Sequence, residues 1–389
     1  MSERIFDPSN VTPAALPRLL AALAATAVER DKRGGTAKRE RDLIRESGLL
    51  KLSIPRELGG AGADWIVILD VVRRIAAVDS SLAHLFAFHH LMIATVQFFG
   101  TSQQARRAME KTAQEDCFWG NAVNPKDARL RLRRDGEYYR LEGVKSFCSG
   151  ASDSDMLVVS ALDEQQKLKI AAIPTRRGGI RIHEDWDNMG QRQTDSGSVS
   201  FDEVVVSDEE LLVSPGPLGS PFAALRPCLA QLILVSIYAG LARGALDASV
   251  AYVRELPSDG AARIGSDPFT LHTAGELFAQ VCAAEALLDR ATHSFQQGWT
   301  RGDAITPQER GSIAIDVAIA KAVSARAALD VGSRMFDIMG ARATTARAGL
   351  DRFWRNARTH TLHDPLDHKL KELGEFALNG LYPTPSFYS

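Results

Sequence analysis

From Pro13 to about Arg107 apolar residues recur at helical spacing in Ala-rich and Leu-rich stretches. Ile66, Leu69, Val72 and Ile75 fall three residues apart behind Asp64, which is placed to cap the helix they predict. Between about Cys117 and Val213 the period shortens. Met156-Leu157-Val158-Val159, Ile170 to Ile173 and Val204-Val205-Val206 read as strands, and Asp135-Gly136 as a hairpin turn. Pro215-Gly216-Pro217-Leu218-Gly219-Ser220-Pro221 then punctuates the chain, and long helical patterns follow. Ile315, Ile319 and Val323 recur every four residues in a segment that Gly340 is suited to stop. Pro257 to Asp267 reads as a long polar connection between two of these helices. The pattern predicts an α+β fold, mostly α: an N-terminal helical domain over 1–116, a β-barrel-like domain over 117–213 and a helical bundle over 214–389.

Composition narrows the function only slightly. A chain of 389 residues exceeds what one core supports, and 45% hydrophobic with 24% charged residues is the balance of a folded protein. A net charge of -2 supplies no global field for nucleic acid or an anionic membrane. Cys117, Cys148, Cys228 and Cys282 lack CxxC spacing and are expected to be reduced, buried thiols. The opening Met1-Ser2-Glu3-Arg4, with Asp7 close behind, has no apolar signal core, so a cytoplasmic protein is expected. Cys228 to Leu246 is the most apolar run, but Gln231, Arg243, Gly240 and Gly244 interrupt it, as expected of a buried bundle helix and not of a membrane span.

Several passages carry a family resemblance. Leu43-Ile44-Arg45-Glu46-Ser47-Gly48-Leu49-Leu50 and Ile54-Pro55-Arg56-Glu57-Leu58-Gly59-Gly60-Ala61-Gly62 resemble the N-terminal passage of acyl-CoA dehydrogenases. Tyr139-Arg140-Leu141-Glu142-Gly143-Val144-Lys145 and Met189-Gly190-Gln191-Arg192 resemble their middle domain, and Arg352-Phe353-Trp354-Arg355-Asn356-Ala357-Arg358 their closing helix. The resemblance implies that family's fold: helical domain, β-domain, four-helix bundle.

The departures from that family bear on chemistry. Acyl thioester dehydrogenation needs a carboxylate base at the substrate α-carbon. Where many members carry a Glu between Tyr and Gly, this chain reads His363-Asp364-Pro365, and from Leu211 to Leu246 there is no acid at all. Asp is a methylene shorter than Glu, and a misplacement of about an ångström costs on the order of a hundredfold. Gly120-Asn121-Ala122-Val123-Asn124-Pro125 and Phe147-Cys148-Ser149 replace the passages that flank the flavin. With Gly62-Ala63-Asp64-Trp65, Arg192-Gln193-Thr194-Asp195-Ser196-Gly197-Ser198 and the closing Arg358 to Pro365, they resemble the dibenzothiophene monooxygenase-like branch.

That resemblance implies an enzyme that takes FMNH2 from a separate NAD(P)H-dependent flavin reductase. It would use O2 through a flavin C4a-hydroperoxide to oxygenate a small apolar organosulfur substrate, and would assemble as a homotetramer. It implies Asn121 and Ser149 against the isoalloxazine, Phe147 and Trp186 walling it, and Arg342, with Arg263 second, on the FMN phosphate. His89 and His363 are the expected peroxide-steadying residues, with His90 leaving the register open by one; Asp364 is expected as a helix cap and an orienter of His363. Phe88, Met92, Phe147 and Trp186 would give the substrate an uncharged pocket. A metal on His360, Asp364 and His368 is not expected, since Pro365 breaks their helical face. Two alternatives stand beside this reading. One is an FAD-dependent acyl-CoA dehydrogenase with Asp364 as base. The other is a non-catalytic relative binding nucleic acid through Arg342, Arg347, Arg352, Arg355 and Arg358.

Overall fold

The computed structural model describes residues 15–389. Pro13 and the charged opening, on which the signal-segment expectation rests, lie outside the described residues. Helix α1 (Ala15–Arg33) buries Leu16, Leu19, Leu23 and Ala27 along one stripe, and α2 (Lys38–Glu46) follows. Helix α3 (Trp65–Val78) starts where the pattern predicts, with the Asp64 side chain accepting from Val67 N at 3.1 Å. Leu69, Val72 and Ile75 are buried, while Ile66 is half-buried. Helix α4 (Ser80–Phe99), capped by Asp79, has no polar face, so it can only be a central helix, and it is buried on every side. A capping box of Thr101 and Gln104 opens α5 (Ser102–Glu115).

The β-rich middle runs through β1 (Trp119–Ala122), β2 (Arg131–Asp135), β3 (Tyr138–Lys145), β4 (Met156–Leu162), β5 (Leu168–Pro174), β6 (Ile180–Ile182) and β7 (Val199–Val206). The expected turn at Asp135-Gly136 joins β2 to β3, with Asp135 opposite Tyr138. Strands β1 and then β2 share one edge of β4, while β5 pairs along the other, so the sheet curls on itself. A second hydrophobic core, with Leu157, Val159, Phe201 and Val204, fills the curl.

Six helices complete the chain: α6 (Leu225–Arg254), α7 (Ser258–Ser266), α8 (Pro268–Arg301), α9 (Pro307–Met339), α10 (Arg352–Thr361) and α11 (Leu366–Asn379). Helix α9 ends at Gly340 as expected. Residues 257–267 are not the bare connection expected, because α7 forms there. Pro257 precedes it and Asp259 sits in its first turn, but with no residue buried it leaves no apolar period to read. Cys282 is exposed, contrary to the expectation of four buried thiols, because it lies on the outer side of α8; the other three are buried. Helices α4 and α6 are long and apolar enough to cross a membrane, yet 94% and 89% of their apolar windows are buried within the protein.

The axis of the molecule is α6, which packs on α3, α4, α8 and α9. It approaches α3 through glycines: a Cβ at Gly244 would stand 2.1 Å from the carbonyl oxygen of Ala77, and one at Gly240 2.3 Å from that of Arg73. Gly244→Ala gains about 1 kcal/mol of helix propensity but forces two backbones apart at an overpacking cost of about 1–3 kcal/mol. Gly275→Ala on α8 meets nothing within 4 Å and should gain the propensity alone. Urea denaturation should therefore show Gly244→Ala destabilised and Gly275→Ala unchanged or stabilised; the reverse order contradicts this packing.

Candidate active site

A chamber of about 690 Å³ opens where α4, α6, the α10–α11 corner and the 186–196 loop meet the start of the β-rich part. Three residues of α4, His84, Phe88 and Leu91, face it at helical spacing. His84 stacks on Phe88, with ring centroids 4.0 Å apart. From α6 come Arg226, Ala230, Gln231 and Leu234, and from the α10 end Thr359, His360, Leu362 and His363.

A hydrogen-bonded chain crosses the chamber wall. His360 Nε2 lies 3.1 Å from His84 Nδ1, and His84 Nε2 lies 3.0 Å from Ser149 Oγ. Ser149 Oγ lies 2.8 Å from Ser196 Oγ, which donates to Thr194 Oγ1 at 2.8 Å, and Thr194 Oγ1 donates to the Gln191 carbonyl at 3.0 Å. Ser149 is therefore not merely a turn-capping hydroxyl; its oxygen joins two elements.

Backbone geometry holds that oxygen in place. Phe147 has φ 59°, a left-handed conformation that costs a bulky residue on the order of 1–3 kcal/mol. The turn persists because neighbours clamp it: Cys148 N donates to Gly197 O, Gly150 N to Thr194 O, and Asn121 N to Ser149 O, at 2.9–3.0 Å. The 186–196 loop is pinned in turn, with Gln191 N donating to Asn356 Oδ1 at 2.6 Å. Gly190 permits this approach, since a Cβ there would stand 2.1 Å from the Arg355 carbonyl.

Of the expected residues, Asn121, Ser149, Phe147, Trp186, Phe88 and His363 line the chamber. Phe147 and Trp186 meet edge to face at 6.1 Å at its exposed mouth. His89 does not. One residue past Phe88, it points away from the chamber, donating to Leu50 O at 2.9 Å and accepting from Trp119 N at 3.2 Å. Both ring nitrogens are thereby satisfied in the core. Met92 is likewise fully buried behind the wall, and Leu91 takes its place. The histidines that line the chamber beside His363 are instead His84, not singled out by the sequence, and His360, weighed there only as a metal ligand.

Asp364 is neither a helix cap nor part of the chamber lining. The cap position of α11 is Pro365, with no side-chain cap bond, and the Asp364 carboxylate is 2.6 Å from Lys321 Nζ, both side chains 1% exposed. Lys321 also donates to Gln231 Oε1 at 2.7 Å. A carboxylate turned into that pair cannot serve as base to a ligand in the chamber. Arg342 and Arg263 are exposed and outside the lining, so neither meets a ligand there within one chain. The basic stretch is only partly a free face: Arg342 and Arg347 are exposed, but Arg352 is half-buried and Arg355 pairs with Asp31 and with Asp351. Nor is the lining uncharged. Arg226 and Lys126 contribute to it, and its one acid is Asp187.

Burial sets the protonation of the imidazoles. Desolvation pushes His84 down to about 3 and His89 to about 4, and it carries His90 and His360 well below the usual histidine value. His363 is also lowered, by its enclosure first and then by Lys321, although its ring is reachable from the open chamber.

With this geometry established, relatives fix the family. The chain matches the acyl-CoA dehydrogenase N-terminal domain over residues 19–116, the middle domain over 121–204 and the C-terminal domain over 232–368. It belongs to the acyl-CoA dehydrogenase family. It is 49% identical over 395 residues to a probable FMNH2-dependent monooxygenase, SfnC, of Pseudomonas putida, covering 100% of both chains. The dibenzothiophene monooxygenase of Mycolicibacterium goodii is 41% identical over 385 residues, covering 94% of this chain and 92% of that protein. Among solved structures, methanesulfinate monooxygenase MsuC from Pseudomonas fluorescens superposes with a TM-score of 0.94 at 47% identity, over 99% of this chain and 100% of that one. FMN-bound TdsC from Paenibacillus sp. A11-2 gives 0.91 at 39% identity, over 96% and 99%.

Two predictions follow from the charges. His84, His89, His90 and His360 stay neutral when folded but titrate near 6.5 when unfolded, so below that pH the unfolded chain binds protons the folded one refuses. Stability should be fully present above about 6.5 and fall between there and about 4, each histidine adding up to about 1.4 kcal/mol per pH unit. Urea midpoints that stay level from neutrality to pH ~5 would contradict this. Separately, Lys321→Met strands a buried carboxylate and should cost about 3–5 kcal/mol, most of it recovered on adding Asp364→Asn.

Proposed function

We propose that the protein is an FMNH2-dependent monooxygenase of organosulfur compounds, supplied with reduced flavin by a separate NAD(P)H-dependent reductase. The observation that carries this reading is a chamber wall built on a chain of neutral imidazoles and hydroxyls, from which the Asp364 carboxylate is turned away into an ion pair with Lys321. Relatives named for FMNH2-dependent, dibenzothiophene and methanesulfinate oxygenation support it.

The residues present fit a flavin. Three chamber residues carry buried polar atoms without a protein partner: Gln191 Oε1, Thr359 Oγ1 and His360 Nδ1. Large apolar side chains, Phe147, Met189 and Leu362, stand exposed at the mouth, where a planar ring would cover them. Asn121, Ser149, Gln191 and Trp186 would hold the ring. Bound there, reduced flavin supplies the electrons that activate dioxygen.

The chain's own residues order the proton. With His360 donating through Nε2 to His84 Nδ1, His84 Nε2 donates to Ser149, and the hydroxyls of Ser149, Ser196 and Thr194 pass donation on to the Gln191 carbonyl with no break. Reversing the links among the hydroxyls and imidazoles, with Thr194 turning its proton from the Gln191 carbonyl to Ser196, leaves the proton on His360 Nδ1, the atom without a partner. The chain can thus present or withdraw one proton without creating a charge, which a desolvated site requires. Phe88, Leu91 and Leu234 keep the substrate side dry. Homotetramer assembly and a cytoplasmic location, where NAD(P)H is available, belong to the same proposal; exposed Phe269, Leu271 and Phe278 on α8 support an apolar interface.

Turnover of an organosulfur panel with FMN, NADH and reductase under labelled dioxygen should place one labelled atom in the product. Acyl-CoA-dependent dye reduction without oxygenation would contradict the reading. Ser149→Ala should cut product formed per NADH by about 10²–10³-fold, the effect of losing one placed donor, with hydrogen peroxide released instead and the melting temperature little changed. A Ser149→Ala enzyme as well coupled as the parent would remove Ser149 from the mechanism.

A further inference from the structure

Arg226 sits on the first turn of α6, 6% exposed, and its guanidinium has one protein partner: Nε donates to Thr95 Oγ1 at 3.2 Å. Among the described residues no carboxylate lies within salt-bridge distance. The other deeply buried arginines are matched. Arg30 meets Asp79 at 2.6 Å and Gln193 at 2.7 Å, Arg41 meets Asp153 at 3.1 Å, and Arg310 donates to the backbone oxygens of Ala224, Pro383 and Ser389. Arg226 alone keeps both terminal nitrogens without a protein acceptor, and it is the one that lines the chamber. Burial lowers its pKa to about 10, which still leaves it charged at neutral pH.

An enclosed, uncompensated guanidinium is unfavourable in the empty protein, so its fork is suited to receive an anion that arrives with the ligand. Its position says which ligand. Thr95 lies one helical turn beyond Leu91 and about 16 Å along α4 from His84, at 1.5 Å per residue. The imidazole–hydroxyl chain that would meet the flavin ring is therefore at one end of the chamber and Arg226 at the other. Lys126 adds a second cation, 4.2 Å over the Tyr388 ring, and both bases act on His363. Leu91, Ala230 and Leu234 line the stretch between with apolar surface.

We propose that Arg226 is the specificity-determining anion site of this chamber, and that the substrate is an organosulfur oxyanion, a sulfinate or sulfonate with a small apolar body. The proposal rests on the monooxygenase reading and names the substrate class of the same site. A planar fork donates two parallel bonds to two oxygens of such a head, whereas a neutral thioether or arene leaves the charge unmatched. The phosphate of FMN is the other oxyanion available, and the test separates the two.

Calorimetric titration of the FMN-loaded protein with methanesulfinate and hexanesulfonate, and with dimethyl sulfone as neutral control, gives the readout without turnover. The sulfur anions should bind and raise the melting temperature, and the sulfone should bind far more weakly. Arg226→Met should weaken the anions by about 10- to 100-fold, the loss of a charge-assisted fork, and Arg226→Lys by less. FMN affinity should not change. With a buried, unmatched charge removed, the Arg226→Met protein without ligand should melt no lower than the parent. Equal binding of sulfone and sulfinate overturns the proposal, as does an Arg226→Met protein that loses FMN and keeps sulfinate, or one that unfolds without ligand. If sulfinates bind through Arg226 and no oxygen is transferred, the monooxygenase reading fails and this one stands. If only neutral sulfides are oxygenated, the opposite holds.

Discussion

The site is governed by water exclusion at the point where α4, α6 and the end of α10 converge. His84 and His360 are almost wholly buried there, 3.1 Å apart, and cannot both accept and cannot be charged. Each must hold one proton and offer one lone pair, and this requirement propagates through Ser149, Ser196 and Thr194, so that donation runs in one direction or the other along the whole chain. The clamped left-handed turn at Phe147, the close approach of Gly190 to α10 and the all-round burial of α4 serve one end: they hold the oxygens and nitrogens of that chain at bonding distance in a dry wall.

The same economy separates this chain from a dehydrogenase built on the same scaffold. The corner that could carry a base carries Asp364, but Lys321 on α9 draws its carboxylate out of the chamber and into a pair 2.6 Å long. The pair spans α9 and the α10–α11 corner and orders Gln231 on α6. What would be an acid at the reacting centre has become a tie between helices, and His363 is left facing the cavity beside it.

Much of the fold was legible in the sequence because its signals are local. Asp64 before an apolar period, Asp135-Gly136 between strands and Gly340 after α9 each act on neighbouring backbone. Helix α7 was not legible, since it buries nothing and so has no period. In the site, Asn121 on β1 and Ser149 in the turn after β3 were readable from the motifs that replace the family's flavin-flanking passages. The histidines on α4 were not. That helix is apolar around its whole circumference, so hydrophobic spacing cannot say which face meets the chamber, and only the position of Phe88 relates His84 to it by one turn. His89 looks identical in sequence, yet its nitrogens are used by Leu50 and Trp119. Arg226 did leave a trace, as one of two arginines, with Arg243, in a stretch from Leu211 to Leu246 that holds no acid.

Nitrogen-15 spectra of the histidine rings test the neutral imidazole chain of the chamber wall most directly. The account predicts that His84 and His360 each show one protonated and one bare nitrogen, unchanged from about pH 8 down to about pH 5, because burial keeps His84 near 3 and His360 well below its ordinary value. Either ring gaining its second proton near the ordinary histidine value of about 6.5 would contradict it.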